Sequence, residues 1–127
     1  MFEKLKQKIP TNDPVALLSI LEEESIEDFR EILFFSDWDR EVLEVSRVLH
    51  SPNSLSVAEL EYFFSRGGLV IARSLDGDFV AGTRNETCVW TKDLFVPLSE
   101  NYPLPLIDFL IQYEHGKIAS HILPIIR

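Results

Sequence analysis

The chain has 127 residues, 46% hydrophobic and 26% charged, with a net charge of −9 at neutral pH. That length suits one core and a single domain, 1–127, and the mixture excludes a largely disordered chain. No apolar run approaches the roughly 20 residues of a membrane helix, and the acidic surplus disfavours direct nucleic-acid binding, which needs basic side chains to release counterions from phosphates.

The opening residues, MFEKLKQKIPTNDP, are charged and carry no apolar signal segment, so the expected location is cytoplasmic with no membrane association. They predict a short amphipathic helix with Phe2, Leu5 and Ile9 on one side. TNDPVALLSILEEES follows, with Asp13 as N-cap, Pro14 in the first helical position, and Leu17, Leu18 and Leu21 at helical spacing. SIEDFREILFF reads as a third helix: Ser25 and Asp28 resemble a capping box, and Ile26, Phe29, Ile32 and Leu33 form its apolar face. SDWDREVLEVSRVLH carries Trp38, Val42, Val45 and Leu49 at the same period. After the turn-rich SPNS, Ser56 and Glu59 open another helix with Val57, Leu60, Phe63 and Phe64 as its stripe, ended by Gly67 and Gly68.

The pattern changes at residue 69. LVIARS, DFVAGT and TCVWTK are short, rich in β-formers and separated by turn residues, and DLFVPL reads as a fourth strand ended by Pro97. ENYPLPLIDFLIQYEHGK returns to helix, with Pro105 in its first turn and Gly116 as its stop. The apolar tail IASHILPIIR is a docked segment or a last strand. Helices, then a hairpin-rich antiparallel sheet, then a C-terminal helix, with no alternation of strand and helix, give an α+β fold class.

The stretch LDGD raises the question of chemistry. Asp76–Gly77 between two strand-like runs predicts a two-residue hairpin turn, because both central positions need left-handed backbone angles. In that register Ser74 faces Phe79 and Ala72 faces Ala81. Val70, Ala72, Phe79 and Ala81 then share one face, with Arg73 and Val80 on the other. A calcium loop would need further oxygen ligands at set spacing, and FVAGT after Asp78 offers none. No phosphate-cradling loop accompanies the aspartates either. His115 and His121 are six residues apart across Gly116, so they share no helical face. Cys88, the single cysteine, cannot form an internal disulfide or a thiolate cluster, and in mid-strand it reads as a small buried hydrophobe. No metal, cofactor or catalytic residue is assigned. Trp38 reads as core, while Trp90 and Val89 lie on opposite faces of a strand, one of which is expected to be open.

Acid density is the more informative feature. Between Glu22 and Glu44 lie ten acids against two bases, Arg30 and Arg40. In the helical reading Glu24, Glu27, Asp28 and Glu31 lie along one side, where like charges repel. A solvated outer face and a surface kept for a basic protein partner both account for this. The candidate partner-binding residues are Glu24, Glu27, Asp28, Glu31, Asp37 and Glu41, with Asp76 and Asp78 at the hairpin tip.

Residues 55–117 resemble the SUKH superfamily, which includes yeast cell-wall-synthesis regulators and many bacterial immunity proteins. The resemblance rests on a helix before a Gly-Gly (LSVAELEYFFSRGG), strands with Gly-Asp at their turn (LVIARSLDGDFVAGT), the following strand TCVWTKDL, and the closing helix LPLIDFLIQYEHGKI. It implies an α+β domain without catalysis whose partner is a protein, typically a toxin domain neutralised by its immunity protein. Two other readings stand beside it: a regulatory or scaffold protein forming homo-oligomers through HILPIIR, and a small metal-dependent enzyme using Asp76, Asp78 or a histidine.

Overall fold

The computed structural model describes residues 1–124. In chain order it contains α1 (Phe2–Lys6), α2 (Pro14–Glu23), β1 (Asp28–Phe29), β2 (Ile32–Phe34), α3 (Trp38–Leu49), α4 (Val57–Ser65), β3 (Leu69–Ser74), β4 (Phe79–Gly82), β5 (Thr87–Trp90), a 3₁₀ turn (Val96–Leu98), β6 (Glu100–Tyr102) and α5 (Leu106–Glu114). The six strands form one antiparallel sheet in the order β1-β2-β3-β4-β5-β6. The fold is α+β, with helices at the N-terminal end and a helix closing the chain.

Helix ends follow the local chemistry. Asp13 caps α2 by accepting the Val15 N–H, with Pro14 at the first helical position. Ser56 and Glu59 form the reciprocal capping box of α4. Such caps satisfy N–H groups that the first helical turn cannot pair, and each stabilises by about 1 kcal/mol.

Residues 25–35 depart from expectation. They form no helix but a hairpin, β1–β2, in which Phe29 faces Ile32 across the turn residues Arg30 and Glu31. The cause lies at Ser25. It closes α2 instead of opening a new helix: its φ is +56°, its N–H donates to the Glu22 carbonyl, and the next N–H, of Ile26, reaches back to the Leu21 carbonyl at 2.8 Å. This left-handed helix ending normally uses glycine, so serine hid it. Burial then alternates, with Ile32 and Phe34 buried and Leu33 exposed.

The second hairpin is present in a different register. Ser74 N–H donates to the Asp78 carbonyl and Gly77 N–H to the Ser74 carbonyl, leaving a three-residue turn, Leu75–Gly77, with Gly77 at φ +98°. Arg73 therefore faces Phe79 and Ala72 faces Val80. A bulge at Ile71 shifts the register between Val70 and Ala72. Ile71 and Ala72 consequently pack on one face of the sheet, with Val70, Phe79 and Ala81 on the other.

Both faces of the sheet are covered. One packs Ile32, Ile71, Val80 and Val89 against Phe2, Leu17, Leu21, Phe109 and Leu110 from α1, α2 and α5. The other packs Val70, Phe79, Cys88 and Trp90 against Val42, Leu60 and Phe63 from α3 and α4. Every residue of β4 and β5 is buried, so no face at Trp90 and Val89 is open. DLFVPL is not a strand: Phe95 makes one bridge to Ser54 and the chain enters the 3₁₀ turn. Beside β1 and β2, a third strand departs from expectation: β6 lies in a segment read as a return to helix. The tail docks on its own chain: Leu123 is buried, Tyr113 Oη donates to the Pro124 carbonyl, and Glu100 accepts from Ser120 Oγ and the His121 N–H. The remainder of HILPIIR, residues 125–127, lies outside the described residues.

Candidate partner-binding surface

The two hairpin turns lie side by side at one end of the sheet. β2 pairs with β3 so that Ile32 faces Ser74, and the Leu75 N–H donates to the Glu31 carbonyl at 2.9 Å. This brings Glu31 next to the Leu75–Gly77 turn. Asp76 is exposed there, and Leu75 is 66% exposed.

Asp78 has a structural task. One of its carboxylate oxygens accepts the Lys92 N–H at 2.8 Å, tying the hairpin to the segment after β5, while its own N–H donates to Ser74 Oγ. Partial burial raises its pKa, the Lys92 N–H acts against that, and the neighbouring Asp76 charge adds to the rise.

Arg73 connects the tip to α3. Its Nε donates to the Gly77 carbonyl at 3.2 Å and its Nη1 donates to Glu41 Oε1 at 3.1 Å. The guanidinium lies over the rings of Phe79 and Trp38, 5.0 and 5.8 Å from their centroids. Glu41 thus belongs to the same end of the molecule. Next to it Val45, Val48 and Leu49 of α3 and Lys92 and Asp93 line a surface cavity of about 250 Å³. Val48 is 76% exposed.

Asp39 contributes something the sequence did not announce. Its Oδ1 accepts the Val70 N–H at 2.6 Å, next to the β3 bulge, and so pins α3 to the sheet. Burial raises its pKa, and the hydrogen bond opposes the rise. Nothing in WDREVL distinguished this aspartate from its neighbours, because its partner is 31 residues away.

The predicted acids therefore divide. Glu31 and Asp76 lie on adjacent turns joined by the Leu75–Glu31 backbone hydrogen bond, Asp78 is tied instead to Lys92 after β5, and Glu41 is linked to the second turn through Arg73. Glu24, Glu27, Asp28 and Glu31 do not share a helical side, since that segment is a hairpin. Glu24, at the end of α2, pairs with Lys8. Glu27 precedes the edge strand and Asp28 lies on it, both exposed. Asp37, at the start of α3, pairs with Arg40 at 3.3 Å.

Other reactive groups are far more constrained. Cys88 is 6% exposed and burial pushes its thiol up to about 12, which leaves little thiolate at neutral pH. His115 pairs with Glu3, whose pKa it lowers. Among the described residues no three histidine, cysteine or acidic side chains gather to hold a metal ion, and no helix is long and apolar enough to cross a membrane.

Compared with known proteins, the chain matches no family model, no curated protein and no solved structure.

Proposed function

We propose that the protein is a non-catalytic binding module that engages a basic protein surface through carboxylates of the paired hairpin turns at one end of its sheet. The observation that carries this reading is the pairing of the two hairpin turns, which holds Glu31 and Asp76 beside the exposed Leu75. Carboxylates on a rigid sheet end lose little freedom on binding, and their field steers a basic partner toward them. Affinity then comes from desolvated apolar anchors, for which Leu75 and Val48 are available.

The SUKH resemblance gives this reading a biological form. The protein acts as a cytoplasmic immunity protein, sitting stoichiometrically on the basic site of a toxin domain and keeping its substrate out. The homo-oligomer reading has less support, because Leu123 packs inward on the protein's own core.

The test is co-expression with the product of the adjoining gene, followed by co-purification at low and high salt. A basic protein retained at low salt and weakened at high salt is expected. No basic protein retained in either condition ends the immunity reading.

A further inference from the structure

A second feature lies away from the paired turns. Between the end of α2 and the segment leaving β2 runs a groove of about 250 Å³. Leu21 forms its floor, Leu18, Ile26 and Phe35 its apolar walls, and Glu22 and Glu27 its rim. The left-handed ending at Ser25 creates it by folding Ile26 back over Leu21 while leaving the acids on either side exposed.

Three properties define what fits. Phe35 is 52% exposed, yet its backbone is fixed by an N–H donated to the Ile71 carbonyl and its ring meets Trp38 edge to face at 5.6 Å. Glu22 and Glu27 form no ion pair among the described residues, whereas neighbouring Glu24 is satisfied by Lys8. The volume lies below the roughly 300–1,000 Å³ of pockets that enclose a drug-sized molecule, and suits one bulky side chain. An acidic ligand would be repelled by the rim, and a neutral one would leave both carboxylates unpaired near apolar surface.

We infer that this groove docks a basic amphipathic segment of a partner protein: one leucine- or phenylalanine-sized anchor enters between Leu18, Ile26 and Phe35, and flanking lysines or arginines pair with Glu22 and Glu27. The inference rests on the reading of the protein as a binding module and adds a contact separate from the paired turns. Trp38, touching Phe35, reports on occupancy.

The probe is a labelled synthetic peptide with a central phenylalanine flanked by lysines, titrated into the full chain and followed by fluorescence anisotropy and by the change in tryptophan emission, to which the buried Trp90 adds a background. Two controls replace its lysines with glutamates or its phenylalanine with serine. The lysine–phenylalanine peptide is expected to bind, and each control to bind about tenfold more weakly. The double variant Glu22→Lys, Glu27→Lys and the single variant Phe35→Ala, all at exposed positions, are each expected to weaken the probe about tenfold, while Asp76→Lys changes it less than about twofold. Absence of binding, equal binding of the serine control, or indifference to both groove variants overturns the inference. Those results concern the peptide alone, so a salt-sensitive partner that responds to Asp76→Lys would still support the binding module.

Discussion

The two hairpins are neighbours in the sheet and were unequally visible in the sequence. Both turn on a residue with left-handed backbone, Arg30 at φ +56° in the first and Gly77 at φ +98° in the second. Glycine advertises that conformation and arginine does not. Strand length added to the difference: β1 and β2 have two and three residues, too few for alternation to outweigh the i, i+3 coincidence of Phe29 with Ile32. An unusual backbone state is legible only where the residue type is chosen for it.

The largest effect that can sharpen this comparison is in the first hairpin. Ile32 is 1% exposed and Leu33 is 38% exposed. Ile32→Ala is expected to cost about 2–5 kcal/mol and Leu33→Ala less than about 1 kcal/mol, measured by urea denaturation. Equal losses would restore the helical reading, in which both residues share the buried face.

The turns give a smaller contrast. Gly77→Ala forces a Cβ into the left-handed region, 3.3 Å from Lys92 Cβ and 3.4 Å from Arg73 Nη2. A loss of about 1–2 kcal/mol is expected. Arg30→Gly removes similar backbone strain but frees the unfolded chain and loses the stacking on Phe29, so its net change should stay within about 1 kcal/mol. A larger loss at Arg30 than at Gly77 would invert the account of the two turns.

Asp39 supplies the subtlest test, a slope and not an offset. Its folded pKa is raised above the ordinary 3.8, so across the interval between those two values the folded state binds more protons than the unfolded one. Stability from this group therefore falls as pH rises through that interval. Asp39→Asn keeps an acceptor for the Val70 N–H and cannot ionise. Its stability relative to wild type should improve with pH from just below 3.8 upward and then level off. A relative decline over that interval would contradict the burial argument.

How much of the site was legible follows the same logic as the turns. Asp76 and Gly77 announced a tip, and the tip is there. The register differs by one residue from that of a two-residue turn because the turn contains Leu75 as well, and the bulge at Ile71 leaves no sequence mark. The caps of α2 and α4 were readable because each rests on residues three or fewer apart. The meeting of Glu31 with the second turn was not readable. It depends on β2 pairing with β3 across the inserted helices α3 and α4, a long-range choice made by burial on both faces. The same covering of both faces encloses Trp90 against Phe63, where alternation along TCVWTK alone left one face open.

The central claim is that acidity acts at the paired turns and not through net charge. Titration calorimetry of a basic partner domain against Asp76→Lys and Glu61→Lys tests it most directly, since both variants change the net charge equally. Glu61 is exposed on α4. Asp76→Lys is predicted to weaken binding by about tenfold or more, and Glu61→Lys by less than about threefold. Equal weakening by the two variants would contradict the account.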